Sequence, residues 1–249
     1  MRTPAVLAIS LLLSGNTLAK DAAGLFDKPA KVTKVPLAAD PQNPQSKPML
    51  SCFYFANFAV KQIDRGEVGA EQLSVVPLGG AEPYQCREAN IAGEKVVDVK
   101  EWSGYFKGVK GNYVFFDADD GLNGGLGFAV FDASDGKKLF EDTTKGLHAI
   151  KLTPAGMVLK YTRVYAPGCS LFADAAGCWA KVKQGTGLTQ ASPPDCAAAY
   201  KAEEKRMKGS SHSAASVPSV VQYEVETVLN SGQTKVSAAP GQVSCRLSD

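Results

Sequence analysis

The sequence predicts a mainly β fold: antiparallel sheets in a sandwich, or in a small propeller-like or barrel arrangement, with one helix in the C-terminal region at about 193–208. Two observations predict the sheets. Apolar residues recur at every second position in short runs, and Gly, Pro, Asn or Asp ends these runs. A third observation, an even number of cysteines, predicts that disulfides stabilise the fold.

The first 19 residues are typical of a secretory signal peptide. Arg2 precedes an apolar run over 5–13, and Thr17-Leu18-Ala19 places small residues at the two positions that a signal peptidase reads. The run is shorter than the roughly 20 apolar residues that a transmembrane helix needs. We therefore expect cleavage after Ala19, export to the periplasm or the extracellular space, and no membrane span in the mature chain.

Residues 20–48 hold five prolines, scattered lysines and aspartates, and few large apolar side chains. Such a segment buries too little apolar surface to offset the entropy lost on ordering. We predict a disordered tail or linker here, followed by a single disulfide-stabilised β-rich domain over 49–249.

From Met49 onward the chain is a succession of strand-like segments. The run MLSCFYFANFAV (49–60) is apolar on both faces, which is typical of one central strand. The clearest alternation lies in 219–229, where apolar residues share one face and Gln222, Glu224 and Glu226 share the other. Further predicted strands lie in EQLSVVPL, KVVDV, NYVFF, GFAVF, KKLF, GMVLKYTRVY and QVSCRL.

One segment has the signals of a helix. Ser192 is a suitable N-cap, Pro193 suits the first helical position, and Asp195 lies in the first turn. The sequence CAAAYKAEEKRMK consists of helix-forming residues, and Gly209 is expected to end the helix.

Six cysteines follow the predicted signal peptide, which in an exported protein favours three disulfides. No Cys-x-x-Cys occurs and the chain has two histidines, so the pattern does not favour a zinc site. Hairpin-forming chains bring neighbours in sequence together, so we predict that each cysteine pairs with the next. The predicted bonds are Cys52–Cys86, Cys169–Cys178 and Cys196–Cys245.

Two similar segments, FDADDG at 116–121 and FDASDG at 131–136, place several carboxylates close together. Each has the pattern of a hairpin turn in which Asp accepts backbone hydrogen bonds and Gly adopts a positive φ. We predict two such turns, with positive φ at Gly121 and Gly136. The aspartate spacing does not fit a helix–loop–helix calcium loop, so no metal is expected. The alternative is an irregular oxygen site at Asp117, Asp119 and Asp120. The intervening GLNGGLG lacks the pattern of a phosphate-binding loop and is expected to be a mobile loop.

The charge balance and the motifs exclude several function classes. After removal of the signal peptide the chain has 26 basic and 25 acidic residues, which argues against a nucleic-acid partner. The chain has no Gly-x-Ser-x-Gly, no His-Glu-x-x-His and no phosphate-loop motif, and neither His148 nor His212 has a partner nearby in sequence. We expect no cofactor.

Two short segments are candidates for contact with a partner. A Cys169–Cys178 bond would close a loop with Leu171 and Phe172 near its tip, and a preordered apolar loop binds at low entropic cost. The alternative is a stapled hairpin in which both side chains fold back onto the core. In WAKVK, strand alternation would place Trp179 and Lys181 on one face, where the two side chains could contact a ligand. The alternative is that the aliphatic part of the lysine side chain covers the indole ring of Trp179.

These features favour an exported binding protein that acts without a cofactor on a protein or a component of the cell envelope. The alternative is a secreted hydrolase with paired carboxylates, because such a pair has no fixed spacing in sequence. A hydrolase requires a cleft with two converging carboxyl groups, whereas a binding protein presents an exposed apolar or aromatic patch.

The signal-peptide prediction is tested by N-terminal sequencing of the exported protein. We expect the sequence to begin at Lys20, because Ala19 ends the small-residue motif that follows the apolar run. A chain recovered outside the cytoplasm with Met1 still in place would contradict it.

Overall fold

A computed structural model of the chain describes residues 24–39, 41–79, 83–208, 213–230 and 232–249. The fold is mainly β with two antiparallel sheets and no closed barrel, which confirms the predicted class. The predicted signal peptide, Gly209 and His212 lie outside the described residues. The strands are β1 Lys31–Pro36, β2 Met49–Tyr54, β3 Phe58–Asp64, β4 Gln72–Pro77, β5 Lys95–Val96, β6 Gly104–Lys110, β7 Tyr113–Leu122, β8 Gly125–Asp132, β9 Lys138–Thr153, β10 Gly156–Tyr165, β11 Ser219–Asn230, β12 Gln233–Ala238 and β13 Ser244–Leu247. The helices are α1 Ala175–Thr186, α2 Ala197–Arg206 and a 3-10 turn at Ala214–Ser216.

The smaller sheet has five strands in the order β1-β2-β3-β4-β5. Its inner face packs on β6–β8 of the larger sheet through buried apolar side chains such as Val60, Val75, Phe116 and Phe131. Its outer face carries Leu50, Cys52 and Ile63, which are covered by the segment that contains Tyr84 and Cys86.

The prediction of a disordered tail over 20–48 is wrong for the part that the structure describes. Strand β1 pairs along its whole length with β2, from Lys31 opposite Tyr54 to Pro36 opposite Met49. Upstream, Phe26 packs edge-on against Phe115, with ring centroids 5.2 Å apart. An edge strand is held by backbone hydrogen bonds, so it needs few apolar side chains, and its lysines and proline protect the free edge.

The run 49–60 forms two strands rather than the single central strand predicted. β2 ends at Tyr54, and after a short turn β3 begins at Phe58 and pairs back onto it. Both strands are buried on two faces, because the sheet lies between the larger sheet and a covering segment. A continuous apolar run therefore conceals the turn.

The larger sheet has eight strands, in the order β12-β11-β10-β9-β8-β7-β6, with β13 beside β12 on β11. Its shape depends on β9, whose first part pairs with β8 and whose last part pairs with β10. Both ends of β9 lie at the same end of the molecule. Near its start, the Leu139 carbonyl accepts a hydrogen bond from Thr234 Oγ1 of β12. Near its end, the Leu152 side chain lies against Gly111 in the turn between β6 and β7. The strand is therefore bent, and the sheet folds over on itself.

The main core lies between the two halves of this folded sheet. Phe128 of β8 meets Tyr161 of β10 edge-on, with ring centroids 5.3 Å apart. Buried residues of both halves and of the helices form one cluster. Its members include Phe115, Val130, Met157, Leu159, Leu171, Trp179, Val182, Tyr200, Tyr223, Val225 and Leu229.

A polar network also joins the two halves across the bend. Asp142 of β9 accepts hydrogen bonds from the Tyr161 hydroxyl at 2.5 Å and from Arg163 Nε at 2.9 Å. Arg163 donates in turn to the Tyr223 hydroxyl on β11 at 3.3 Å. Burial and the Asp142 carboxylate raise the pKa of Tyr161, so this hydroxyl stays protonated and keeps donating.

The helices lie in the connection between β10 and β11. The predicted C-terminal helix is present as α2, but it begins at Ala197 rather than at Pro193, with Asp195 Oδ1 accepting from the Ala197 amide. The preceding helix α1 was not predicted. Asp174 caps its first turn and Gly187 ends it in the left-handed conformation.

All three predicted disulfides are present: Cys52–Cys86, Cys169–Cys178 and Cys196–Cys245. The last bond joins the residue before α2 to β13, and so attaches that helix to the larger sheet.

Only the second of the two similar Asp-rich segments is the predicted turn. Asp132 Oδ1 accepts from the Ser134 amide, and Gly136 has a φ of 75°. In the first segment Gly121 lies within β7, and the hairpin turn is formed by Asn123 and Gly124 at φ 57° and 66°. The predictions of a turn with positive φ at Gly121 and of a mobile loop after it are therefore wrong. An Asn-Gly pair between two strands is a strong signal for this tight turn.

A long irregular segment, 83–94, crosses the outer face of the smaller sheet. It is anchored by the Cys52–Cys86 bond and by Glu94, whose carboxylate lies 2.6 Å from Lys61 Nζ. Both side chains are fully buried, at 0% and 1% exposure. Lys61 also donates to Asn90 Oδ1 and to the Glu88 carbonyl.

We expect Lys61→Met to lower the free energy of unfolding by about 3–5 kcal/mol, because it leaves Glu94 buried without its partner charge. Chemical denaturation measures this. Lys34→Met, at an exposed lysine of β1, is the matched control and should cost little. In the double variant Lys61→Met/Glu94→Leu the loss should be smaller than the sum of the two single losses. Equal effects at Lys61 and Lys34 would contradict this.

We expect Gly136→Ala to destabilise the protein by about 1 kcal/mol, because a side chain strains the left-handed conformation. The added Cβ would also lie 2.6 Å from Lys95 Cβ. Gly146→Ala is the control, since no atom lies within 4 Å of its added Cβ and its φ is not left-handed. Thermal unfolding of both variants tests the prediction, and an unchanged Gly136→Ala protein would refute it.

Candidate binding sites

A groove of about 840 Å³ lies at one end of the folded sheet. It forms where four hairpins converge, because the bend in β9 brings both halves of the sheet to this end. The connection that holds the helices leaves β10 at the opposite end, since Tyr165 pairs with Val221 there while Gly156 pairs with Asn230 at the groove. One end of the fold is thus covered by helices and the other is open.

The groove combines exposed apolar side chains with polar groups, most of which are uncharged. Leu139 and Leu152 line it and are 38% and 43% exposed, which is high for leucine. Among its described lining residues Asp132 is the one carboxylate, and its Oδ1 accepts hydrogen bonds from the Ser134 amide and hydroxyl. The remaining polar lining consists of Asn112, Tyr113, Lys138, Thr153, Asn230, Gln233 and Thr234.

The loop closed by Cys169–Cys178 is organised differently from either expectation. It leads into α1 rather than forming a hairpin, and Leu171 is buried in the main core at 4% exposure. Phe172 is 44% exposed and stacks on Tyr200, with centroids 4.9 Å apart. Of this pair, Phe172 alone presents surface to a partner.

The expectation that Trp179 and Lys181 share a face is wrong, because both lie in α1. Residues two apart point in nearly opposite directions on a helix. Trp179 is 3% exposed and its indole nitrogen donates to the Gln190 carbonyl, whereas Lys181 is exposed. Trp179 is therefore a core residue rather than a surface for stacking. The signal for the helix was Asp174 before a run of alanines, with Gly187 after it.

His148 has partners that sequence proximity did not reveal. Its Nε2 lies 2.8 Å from Thr162 Oγ1 and 3.3 Å from Glu224 Oε2, and Thr162 donates to Glu224 Oε1 at 2.6 Å. Strand pairing of β10 with β11 places Thr162 opposite Glu224. In a nucleophile triad the second ring nitrogen is held by the acid. Here both partners face Nε2, so the cluster lacks that geometry.

The aspartates of the first Asp-rich segment do not converge. Asp117 pairs with Lys107 at 2.6 Å, Asp119 accepts from Ser103, and Asp120 accepts from the Gly121 amide. Within the described chain no group of three or more His, Cys, Asp or Glu side chains is arranged as metal ligands are.

Among the helices of the described ranges, none is long and apolar enough to cross a membrane. Comparisons of the chain with protein-family models, with curated proteins and with solved structures found no match.

Proposed function

We propose that this is an exported, non-enzymatic binding protein whose partner, a protein or a component of the cell envelope, occupies the groove at the open end of the folded sheet. The observation that carries the proposal is the pair of exposed leucines, Leu139 and Leu152, within a concave surface rimmed by amide and hydroxyl groups. Concave apolar surfaces with a few polar groups are the usual form of ligand sites.

The chemistry of the groove favours binding over hydrolysis. Paired-carboxylate hydrolysis needs two carboxyl groups on either side of the scissile bond. The described lining holds one carboxyl group, that of Asp132, and its Oδ1 already accepts from Ser134. Exposed apolar surface in a concave site instead supports association, because burying it on contact releases free energy.

Export is supported by two independent features. Three disulfides within one chain are typical of oxidising compartments. The sequence before Lys20 also has the charge, apolar run and small residues of a signal peptide. We place the mature protein in the periplasm or outside the cell.

The proposal is tested by affinity capture from native envelope extract with the mature protein as bait and quantitative mass spectrometry as the readout. The variant Leu139→Asn/Leu152→Asn should reduce recovery of the specific partner about tenfold, because covering the exposed two-fifths of each leucine contributes about 0.6–1.3 kcal/mol, in proportion to the roughly 1.5–3 kcal/mol of full burial. Leu122→Asn is the matched control, since Leu122 is 66% exposed on the β7–β8 hairpin outside the groove.

A partner retained by Leu139→Asn/Leu152→Asn, or lost equally from Leu122→Asn, would contradict the assignment of the groove. Turnover of envelope polysaccharide by the wild-type protein would contradict the non-enzymatic function. Thermal unfolding of each variant establishes that the substitutions act on binding rather than on folding.

A further inference from the structure

A second groove, of about 740 Å³, lies on the outer face of the smaller sheet. It is separate from the groove where the four hairpins converge, which contains Leu139 and Leu152 and is called the hairpin groove below. Its floor is the edge of the sheet, where Lys31 of β1 stands opposite Tyr54 of β2. Its wall is the irregular segment 83–94. The apolar part of the lining consists of Tyr54, Pro77, Leu78, Pro83, Tyr84, Ile91 and Ala92.

The described residues that line this groove carry charge of one sign. Lys31 and Arg87 line it, and no carboxylate is among its described lining residues. Neither cation forms an ion pair with a described residue. Lys31 Nζ is instead held over the Tyr54 ring, 5.3 Å from its centroid. Burial, and then the nearby Glu94, raise the pKa of Tyr84 to about 12, so this residue adds no negative charge at neutral pH.

The wall of the groove is held rigidly although it has no regular structure. Cys86, between Tyr84 and Arg87, is bonded to Cys52 of β2. Further along, Glu94 forms the buried pair with Lys61 and accepts from the Ile91 amide at 2.9 Å. Irregular segments of this length in compact domains are commonly functional. A site fixed before binding loses less conformational entropy when its ligand arrives.

We infer that this groove binds a small amphipathic anion, in which an apolar or aromatic body carries a carboxylate, sulfonate or phosphate group. The body would lie on the tyrosine, proline and isoleucine side chains. The anionic group would lie between Lys31 and Arg87, whose planar guanidinium suits the geometry of such oxyanions. This site is independent of the proposed function of the hairpin groove.

The first test compares two fluorescent probes that share their ring system. The anionic probe is 8-anilinonaphthalene-1-sulfonate, and the neutral probe is N-phenyl-1-naphthylamine, which lacks the sulfonate. We expect saturable binding of the sulfonate at one site and at least about tenfold weaker binding of the neutral probe. Raising the salt concentration should weaken the binding of the sulfonate probe and leave that of the neutral probe unchanged, because salt screens exposed charges.

Variants then locate the site. Lys31→Gln and Arg87→Gln should each weaken sulfonate binding about threefold and together about tenfold, as expected for exposed charges. Lys34→Gln is the matched control, because Lys34 is exposed on the same strand, three residues along, and so points to the opposite face. None of these side chains is buried, so the variants should fold, and thermal unfolding checks this.

Displacement of the probe identifies the preferred head group. Decanoate or decyl phosphate should displace the sulfonate probe, whereas decanol, which carries no charge, should not. Whichever of the two anions displaces the probe at the lower concentration has the head group that the site prefers. Three results would each overturn the inference: equal binding of the two probes, unchanged affinity in Lys31→Gln/Arg87→Gln, or loss of binding in Leu139→Asn/Leu152→Asn, which would place the probe in the hairpin groove. Absence of saturable sulfonate binding would overturn it as well.

Discussion

The bend in β9 is the constraint on which the larger sheet depends. A straight antiparallel sheet of eight strands would expose one apolar face or require another layer to cover it. Because β9 bends, the two halves of the larger sheet bury their apolar faces against each other. Asp142 of β9 also accepts hydrogen bonds from Tyr161 and Arg163 of β10. Register shifts in the pairing of β9 with β10, at Lys160/Tyr161 and at Thr162/Arg163, mark irregular pairing of the kind that bends strands. The same bend brings four hairpins together and so creates the open groove.

The smaller sheet solves a different problem, since its second face has neither a helix nor a sheet to cover it. The irregular segment 83–94 covers this face instead. Such a segment cannot pair its backbone amide and carbonyl groups with one another as a helix does, and it packs less regularly. The buried Lys61–Glu94 pair and the Cys52–Cys86 bond hold it in place. A buried ion pair adds little net stability compared with apolar packing, but it is specific in geometry. Here that specificity fixes the position of residues that line a groove.

The differences between sequence and structure have a common origin in features that local patterns do not encode. β1 has mostly exposed side chains and depends on backbone bonds to β2, so its composition resembles that of a disordered tail. The first Asp-rich segment matches the second in sequence, yet pairing with β6 and β8 extends β7 through it. The short sequence WAKVK in α1 is compatible with a strand or with a helix. The helix is favoured because it buries Cys178, Trp179 and Val182 together.

The sequence by itself determined the mainly β class, the alternation of β11, the existence of α2 and the turn at Gly136, because each depends on a short-range pattern. The order of the cysteines predicted their pairing, although Cys52–Cys86 and Cys196–Cys245 span 34 and 49 residues. Only the tertiary structure decided where the sheet bends, which segment covers the smaller sheet, and which side chains meet in the two grooves. Leu139 and Leu152 lie at the two ends of β9, Lys31 and Arg87 are far apart in sequence, and neither pair carries a motif. Their juxtaposition follows from strand register and chain reversal, which are properties of long-range packing.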